Sequence, residues 1–249
     1  MRRLAVGIGA MALVVSTLAA SGAAAEPGYG PHETIDQTFS TTQPGAPTGV
    51  DFTAGFHAAG DELSPPPYMR RMTFYPPSGM RQDTSVPAQC TAPDVQLEVM
   101  GPAACPPGSQ IGGGTVEGIF QEPVRHDFDF DHFTHNVYIF NNANEQIFLI
   151  ESEGYTVIRA EFQPDGSLDL HPPTCFPAPP TGCADDYIIQ LGTQTTMPAY
   201  TTGSGANLRS YQTTPPTCPS DGYWRTTGVF DWSDGSTDTV VTRQPCTAA

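Results

Sequence analysis

Twenty-six prolines and twenty-five glycines are spread through this chain of 249 residues, and no run longer than about ten residues keeps a helical period between them. Proline removes a backbone donor and clashes with the preceding helical turn, and glycine weakens helix and strand interiors alike. What recurs instead is alternation. Asn136–Phe140, Gln146–Ser152, Tyr155–Phe162 and Ser167–His171 are rich in Val, Ile, Tyr and Phe, and are separated by Asn141-Asn142-Ala143-Asn144, Glu153-Gly154 and Pro164-Asp165-Gly166. Short β-formers punctuated by Asn, Gly and Pro-Asp-Gly predict a meander of antiparallel hairpins. Further strands are expected at Thr48–Ala58, Arg70–Tyr75, Val95–Met100, Ile111–Phe120, Tyr187–Gln194, Leu208–Gln212, Tyr223–Trp232 and Thr237–Arg243. In the first half of the last pair, Trp224, Thr226, Gly228, Phe230 and Trp232 share a face, as period-two alternation requires. Gly112, Gly113, Gly114 and Gly118 mark a bent or bulged strand, since the phosphate-cradle alternative lacks a following helix and a lysine.

The chain opens Met1-Arg2-Arg3, runs uncharged from Leu4 to Ala25 and closes that run with Ala23-Ala24-Ala25. A basic start, an apolar centre and an Ala-x-Ala end are the parts of a secretory signal peptide, with cleavage expected before Glu26. The apolar centre is diluted by Gly7, Gly9, Ser16 and Thr17 and falls short of the roughly 20 residues a membrane span needs. Residues 26–48, with few apolar anchors, are expected to be a flexible leader, and residues 49–249 one β domain. Six cysteines in an exported chain point to disulfides. Fifteen pairings are open, and joining neighbours, Cys90 with Cys105, Cys175 with Cys183 and Cys218 with Cys246, closes three loops without crossing. A thiolate zinc site lacks any Cys-x-x-Cys or finger-like histidine spacing. The expectation is therefore an all-β fold, an antiparallel β-sandwich or barrel-like sandwich stapled by disulfides, secreted and extracellular.

The net charge is −16 and every one of the ten basic residues is arginine. Such a surface repels nucleic acid and anionic membranes, and its simplest use is solubility. No nucleic-acid partner is expected, and no membrane span after signal cleavage.

Cys90-Thr91-Ala92, with Ala104-Cys105-Pro106-Pro107-Gly108-Ser109-Gln110-Ile111-Gly112, resembles a signature of uncharacterised secreted proteins of high-GC Gram-positive bacteria: a Cys, a short run, then Ala-Cys-Pro-x-x-Ser-x-Ile-Gly. Cys218-Pro219-Ser220-Asp221-Gly222-Tyr223-Trp224, with Pro245-Cys246, is similar to the closing element of the same proteins. The resemblance implies secretion, β structure and paired cysteines; it carries no activity and no functional residues.

Four groups of residues could carry chemistry. Asp127, Asp129 and Asp131 would share one face of an extended segment at about 7 Å spacing, and calcium is the cation such a row would take, although the EF-hand pattern is missing. The plainer reading is a solvated acidic face with Phe128 and Phe130 turned inward. His126, His132 and His135 lack the spacing of a helical zinc site. Glu145, Glu151, Glu153, Glu161, Asp165 and Asp169 could supply the paired carboxyls of a glycosidase. Asp169 and His171 share a face, but Gly203-Ser204-Gly205 lacks the outer residues of a nucleophile elbow. Tyr211, Trp224 and Trp232, with Tyr223, could stack on sugars, though aromatic residues on alternating strands more often pack a core.

Two functions remain in view. The preferred one is a non-enzymatic extracellular or cell-wall-associated module that binds glycan, lipid or protein, with no catalytic residues and no cofactor unless calcium. The other is a secreted hydrolase using carboxylates of the 127–169 block. An enzyme predicts two acids converging in a deep pocket; a binding module predicts acids that fan out into solvent. The sequence leaves the oligomeric state open.

Overall fold

A computed structural model describes residues 24–121, 131–152, 154–172 and 187–247. In chain order its strands are β1 (Gly28–Tyr29), β2 (Glu33–Phe39), β3 (Val50–Phe56), β4 (Met69–Tyr75) and β5 (Arg81–Gln82). Helix α1 (Asp94–Met100) follows, then β6 (Gln110–Gln121), β7 (Asp131–Asn142), β8 (Glu145–Glu151), β9 (Tyr155–Phe162), β10 (Leu168–Leu170) and β11 (Tyr187–Met197). The chain ends with β12 (Thr201–Thr202), β13 (Arg209–Ser210), β14 (Gln212–Thr213), β15 (Tyr223–Trp232) and β16 (Thr237–Pro245). No helix among the described residues is long and apolar enough to cross a membrane.

Twelve strands form one antiparallel sheet in the order β1-β2-β3-β11-β6-β7-β8-β9-β10-β4-β15-β16. The meander expected from the turn residues is present: β7, β8, β9 and β10 pair in succession. Asn144 turns the first hairpin with φ of 58° and Gly166 the last with φ of 85°, the left-handed angles such turns require. The sheet curls until its ends meet. β1 pairs with β2, while Glu26, two residues earlier, exchanges backbone hydrogen bonds with Arg243 of β16 at 2.8 and 3.0 Å. Near-closure of this kind shortens the exposed edge that would otherwise template aggregation.

Curling needs close backbones, and glycine provides them along β6. A Cβ on Gly114 would stand 1.8 Å from the Gln194 carbonyl oxygen of β11, so no larger residue fits unless the two strands separate. The register also shifts between Gln110 and Gly112, as expected of a bent strand.

The inward faces carry the main core, including Ile35, Ala54, Phe56, Met72, Ile139, Phe230 and Trp232. A second core lies outside the barrel wall. Ile147 and Leu149 point outward from β8, and are covered by Cys90, Leu97 and Phe140, with Tyr155 and Val157 beside them. The Cys90–Cys105 disulfide closes the loop that carries α1 over this patch. Arg159 rises from β9 to meet Asp94 at 2.6 Å, and also pairs with Glu145. Cys218 and Cys246 are joined, tying the approach to β15 to the end of β16. Cys175 and Cys183 lie outside the described residues.

Two expectations change. Residues 26–48 are not a leader: β1 and β2 lie within them and form the seam of the barrel. β2 was hard to see because its inward face reads Glu33, Ile35, Gln37, Phe39, half of it polar. Val95–Met100 is helical rather than extended, with only Leu97 of α1 buried. Val95 and Val99 share a parity with Leu97, yet both face solvent. Pro93 at the cap and Asp94 in the first turn are helix-start signals that outweighed the alternation.

Candidate functional site: the barrel interior

Period-two alternation sends every second side chain of the curled sheet into the barrel, and those side chains do not fill it. A cavity of about 350 Å³ remains, within the usual range of about 300–1,000 Å³ for small-molecule pockets. Its wall is built from Val50 and Phe52 of β3, Met72 and Phe74 of β4, Val137 and Ile139 of β7, Phe148 and Ile150 of β8, and Ile158 of β9. Phe52 and Phe74 meet edge to face with centroids 5.2 Å apart, which holds both rings against the void.

The polar surface is the smaller part of the wall, supplied mainly by Gln and Thr side chains. Gln146 donates from Nε2 to the Tyr211 hydroxyl at 3.0 Å. Burial pushes the Tyr211 phenol up to about 12, with smaller opposing contributions from hydrogen bonds to Gln146 and Gln82. Gln146 Oε1 and Thr226 Oγ1, both on residues of the wall, are buried without a hydrogen-bond partner. Orphaned polar atoms are uncommon in protein interiors; these two are sealed off even from the cavity, on residues whose other atoms line it. Arg81 is the one charged residue of the described lining, and no described acid pairs with it. Arg81, Asn144 and Gly166 are the exposed members of the lining. The strand register puts all three at one end of the barrel, where the β7–β8 and β9–β10 turns approach β5. That end is the mouth.

The sequence candidates fall elsewhere. Tyr211, Trp224 and Trp232 are 1–2 % exposed, so none presents a ring to a sugar. Trp224 Nε1 donates to the Thr217 carbonyl at 3.0 Å. Tyr211 does stand at the cavity through Gln146, but as support rather than as a stacking platform. Asp127 and Asp129 lie outside the described residues, as do His126 and Glu153, and Asp131 opens β7 with its side chain undescribed. His132 is exposed; His135 stacks on Phe133 at 4.6 Å, and burial lowers its pKa.

The described hydrolase carboxylates point away from the cavity. Glu151 accepts from Asn136 at 3.0 Å and Tyr138 at 2.9 Å, which holds it below the usual carboxylate range. Asp169 is gripped by Arg71 at 2.7 and 2.9 Å and lowered in the same direction. Asp165 is lowered by the Ser167 hydroxyl and amide within its turn. Glu145 pairs with Arg159, and Glu161 is exposed. A glycosidase needs one carboxyl with a raised pKa facing another in a cleft; Glu145, Glu161 and Asp169 do stand opposite one another across β8, β9 and β10, but on the outer face of the wall, and Glu151, Asp165 and Asp169 are shifted down rather than up.

A second polar cluster, unforeseen in the sequence, sits at the opposite end of the barrel. His32 Nδ1 is 2.5 Å from Asp238 Oδ2, and Trp232 Nε1 donates to the same oxygen at 3.0 Å. Glu33 is 0 % exposed, and neither carboxylate oxygen has a hydrogen-bond partner. Burial, followed by the nearby Asp238 carboxylate, pushes the Glu33 pKa up to about 8. His32 and Asp238 are 206 residues apart in sequence. Only the inward parity of Glu33, shared with Ile35, and of Asp238, shared with Val240, could have hinted at the cluster. No protein-family model matches this chain, and no curated protein or solved structure is significantly similar to it.

Proposed function

We propose that the protein binds one small, mainly apolar molecule inside its barrel, with an anionic end of that molecule held at the mouth by Arg81. The carrying observation is the cavity of about 350 Å³ whose described wall is mainly Val, Ile, Met and Phe, with Arg81 its one charged residue. Apolar surface transferred from water into such a space contributes about 25 cal/mol per Å², so a carbon chain supplies affinity. The polar end supplies orientation: a carboxylate at Arg81 makes a charge-assisted hydrogen bond. A signal peptide and disulfides suit the role of an extracellular carrier or scavenger. Of the partners the sequence left open, this chooses a lipid-like molecule over glycan or protein, because the aromatic rings suited to sugar lie inside.

The test is a titration with a fluorescent long-chain carboxylic acid. Saturable binding of one molecule per chain is expected. Val137→Phe, which adds a ring to the cavity, should abolish it. Arg81→Gln should weaken binding about tenfold, the equivalent of 1.4 kcal/mol, for the acid while leaving the corresponding alcohol unchanged. Binding that never saturates, or that ignores Val137→Phe, would sink the reading.

A further inference from the structure

We propose that His32, Glu33 and Asp238 form a site for one divalent transition-metal ion of the zinc class, separate from the apolar cavity. Their donor atoms all lie within 4.8 Å of one another, and all three residues are buried. Glu33 opens β2, His32 immediately precedes it and Asp238 lies at the start of β16, so the site would bridge the two sides of the seam.

The His32–Asp238 pair alone has an ordinary structural explanation, a buried hydrogen bond supported by the Trp232 indole. Glu33 does not. Its carboxyl is completely buried beside a second carboxyl, and both its oxygens lack a donor. A buried carboxylate is costly unless paired, hydrogen-bonded or bound to a metal, and a second carboxylate beside it adds repulsion. Apolar residues would fill the same space without that cost. Room is kept for the carboxyl by Gly30, where a Cβ would stand 2.2 Å from Glu33 Oε1. A divalent cation placed among the three side chains answers both difficulties. It gives Glu33 a partner and, with both carboxyls ionised on binding, balances them with an equal opposite charge.

The donor set selects the metal. Calcium and magnesium favour all-oxygen coordination, whereas an imidazole with two carboxylates suits zinc and its neighbours. In four-coordinate zinc, donors about 2.0–2.2 Å from the ion stand about 3.3–3.6 Å apart. Donors up to 4.8 Å apart therefore draw together on binding, and His32 has to exchange its Asp238 contact for the ion. Trp232 remains on the Asp238 carboxylate as the outer support that orients a ligand. Three protein donors leave a fourth position for water.

The experiment uses the purified protein stripped with a chelator, then titrated calorimetrically with zinc, manganese and calcium chlorides. The expected result is one zinc ion per chain with a rise in melting temperature, no such response to calcium, and a change in tryptophan fluorescence reporting Trp232. Glu33→Gln should weaken zinc binding by about 100-fold or more, above the 10–100-fold typical of losing an outer partner. Binding that is absent, or unaltered by Glu33→Gln, overturns the proposal, the latter because it places zinc on other histidines. Should that variant fail to fold, cobalt titrated into the unaltered protein decides the matter. Intense visible bands of a four- or five-coordinate nitrogen–oxygen site support the proposal, and a weak spectrum like that of aqueous cobalt contradicts it.

Discussion

Tyr211 is 2 % exposed and its hydroxyl accepts from Gln146, so its ionisation is coupled to folding. Its pKa rises from 10 to about 12 on burial. Below pH 10 the phenol is neutral in both states and its contribution is fully present. Between pH 10 and 12 the unfolded chain ionises while the folded one resists, and stability falls. The loss should approach about 2–3 kcal/mol by pH 12, at 1.36 kcal/mol per pKa unit. Urea denaturation of the protein and of Tyr211→Phe between pH 9 and 11.5 measures it as a difference. The variant should lose stability less steeply, and parallel curves would show that Tyr211 is not buried as described. At this scale the sequence was partly legible. The inward parity of Trp224, Phe230 and Trp232 could be read directly because nearest neighbours along a strand define it. Glu33 and Asp238 could not, since their meaning depends on a contact across the closed seam.

Among the elements, β6 makes the sharpest demand on its residues. Gly114→Val would drive a side chain into the Gln194 carbonyl, and should cost about 3 kcal/mol or more, at or beyond the upper end of ordinary overpacking. Gly55 in β3 is the contrast, because nothing lies within 4 Å of a Cβ built there. Gly55→Ala should raise stability by about 0.4–1 kcal/mol through the unfolded chain. Thermal melts of both variants check this, and equal effects would contradict the strand contacts described for β6 and β11. The bend of β6 was readable from its glycines, and the hairpins from their turns. α1 was missed because seven residues with one buried leucine carry too little period to separate a helix from a strand.

The whole molecule depends on a seam that composition concealed. β2 has few apolar residues, and β1 is two residues long, so local pattern assigned neither to a sheet. Their order comes from partners at the other end of the chain. Removing residues 26–30 should free the edge of β16, leaving the Arg243 amide, now bonded to the Glu26 carbonyl, open to exchange. Hydrogen-exchange mass spectrometry should then show faster exchange across residues 237–245 and a lower melting temperature. Unchanged protection would mean that the barrel does not close as described. A closed barrel in turn explains why the cavity escaped the sequence. Phe52, Phe74, Val137 and Phe148 come from four strands scattered over nearly a hundred residues, each an ordinary core position by itself.

The binding of an apolar molecule inside that barrel is tested most directly by crystallography with a long-chain carboxylic acid carrying bromine at its far end. The anomalous signal should place one bromine atom per chain between Phe52 and Phe148, with the carboxylate beside Arg81. Bromine found only on the outer surface, or nowhere in a cavity that remains unfilled at saturating acid, would contradict the account.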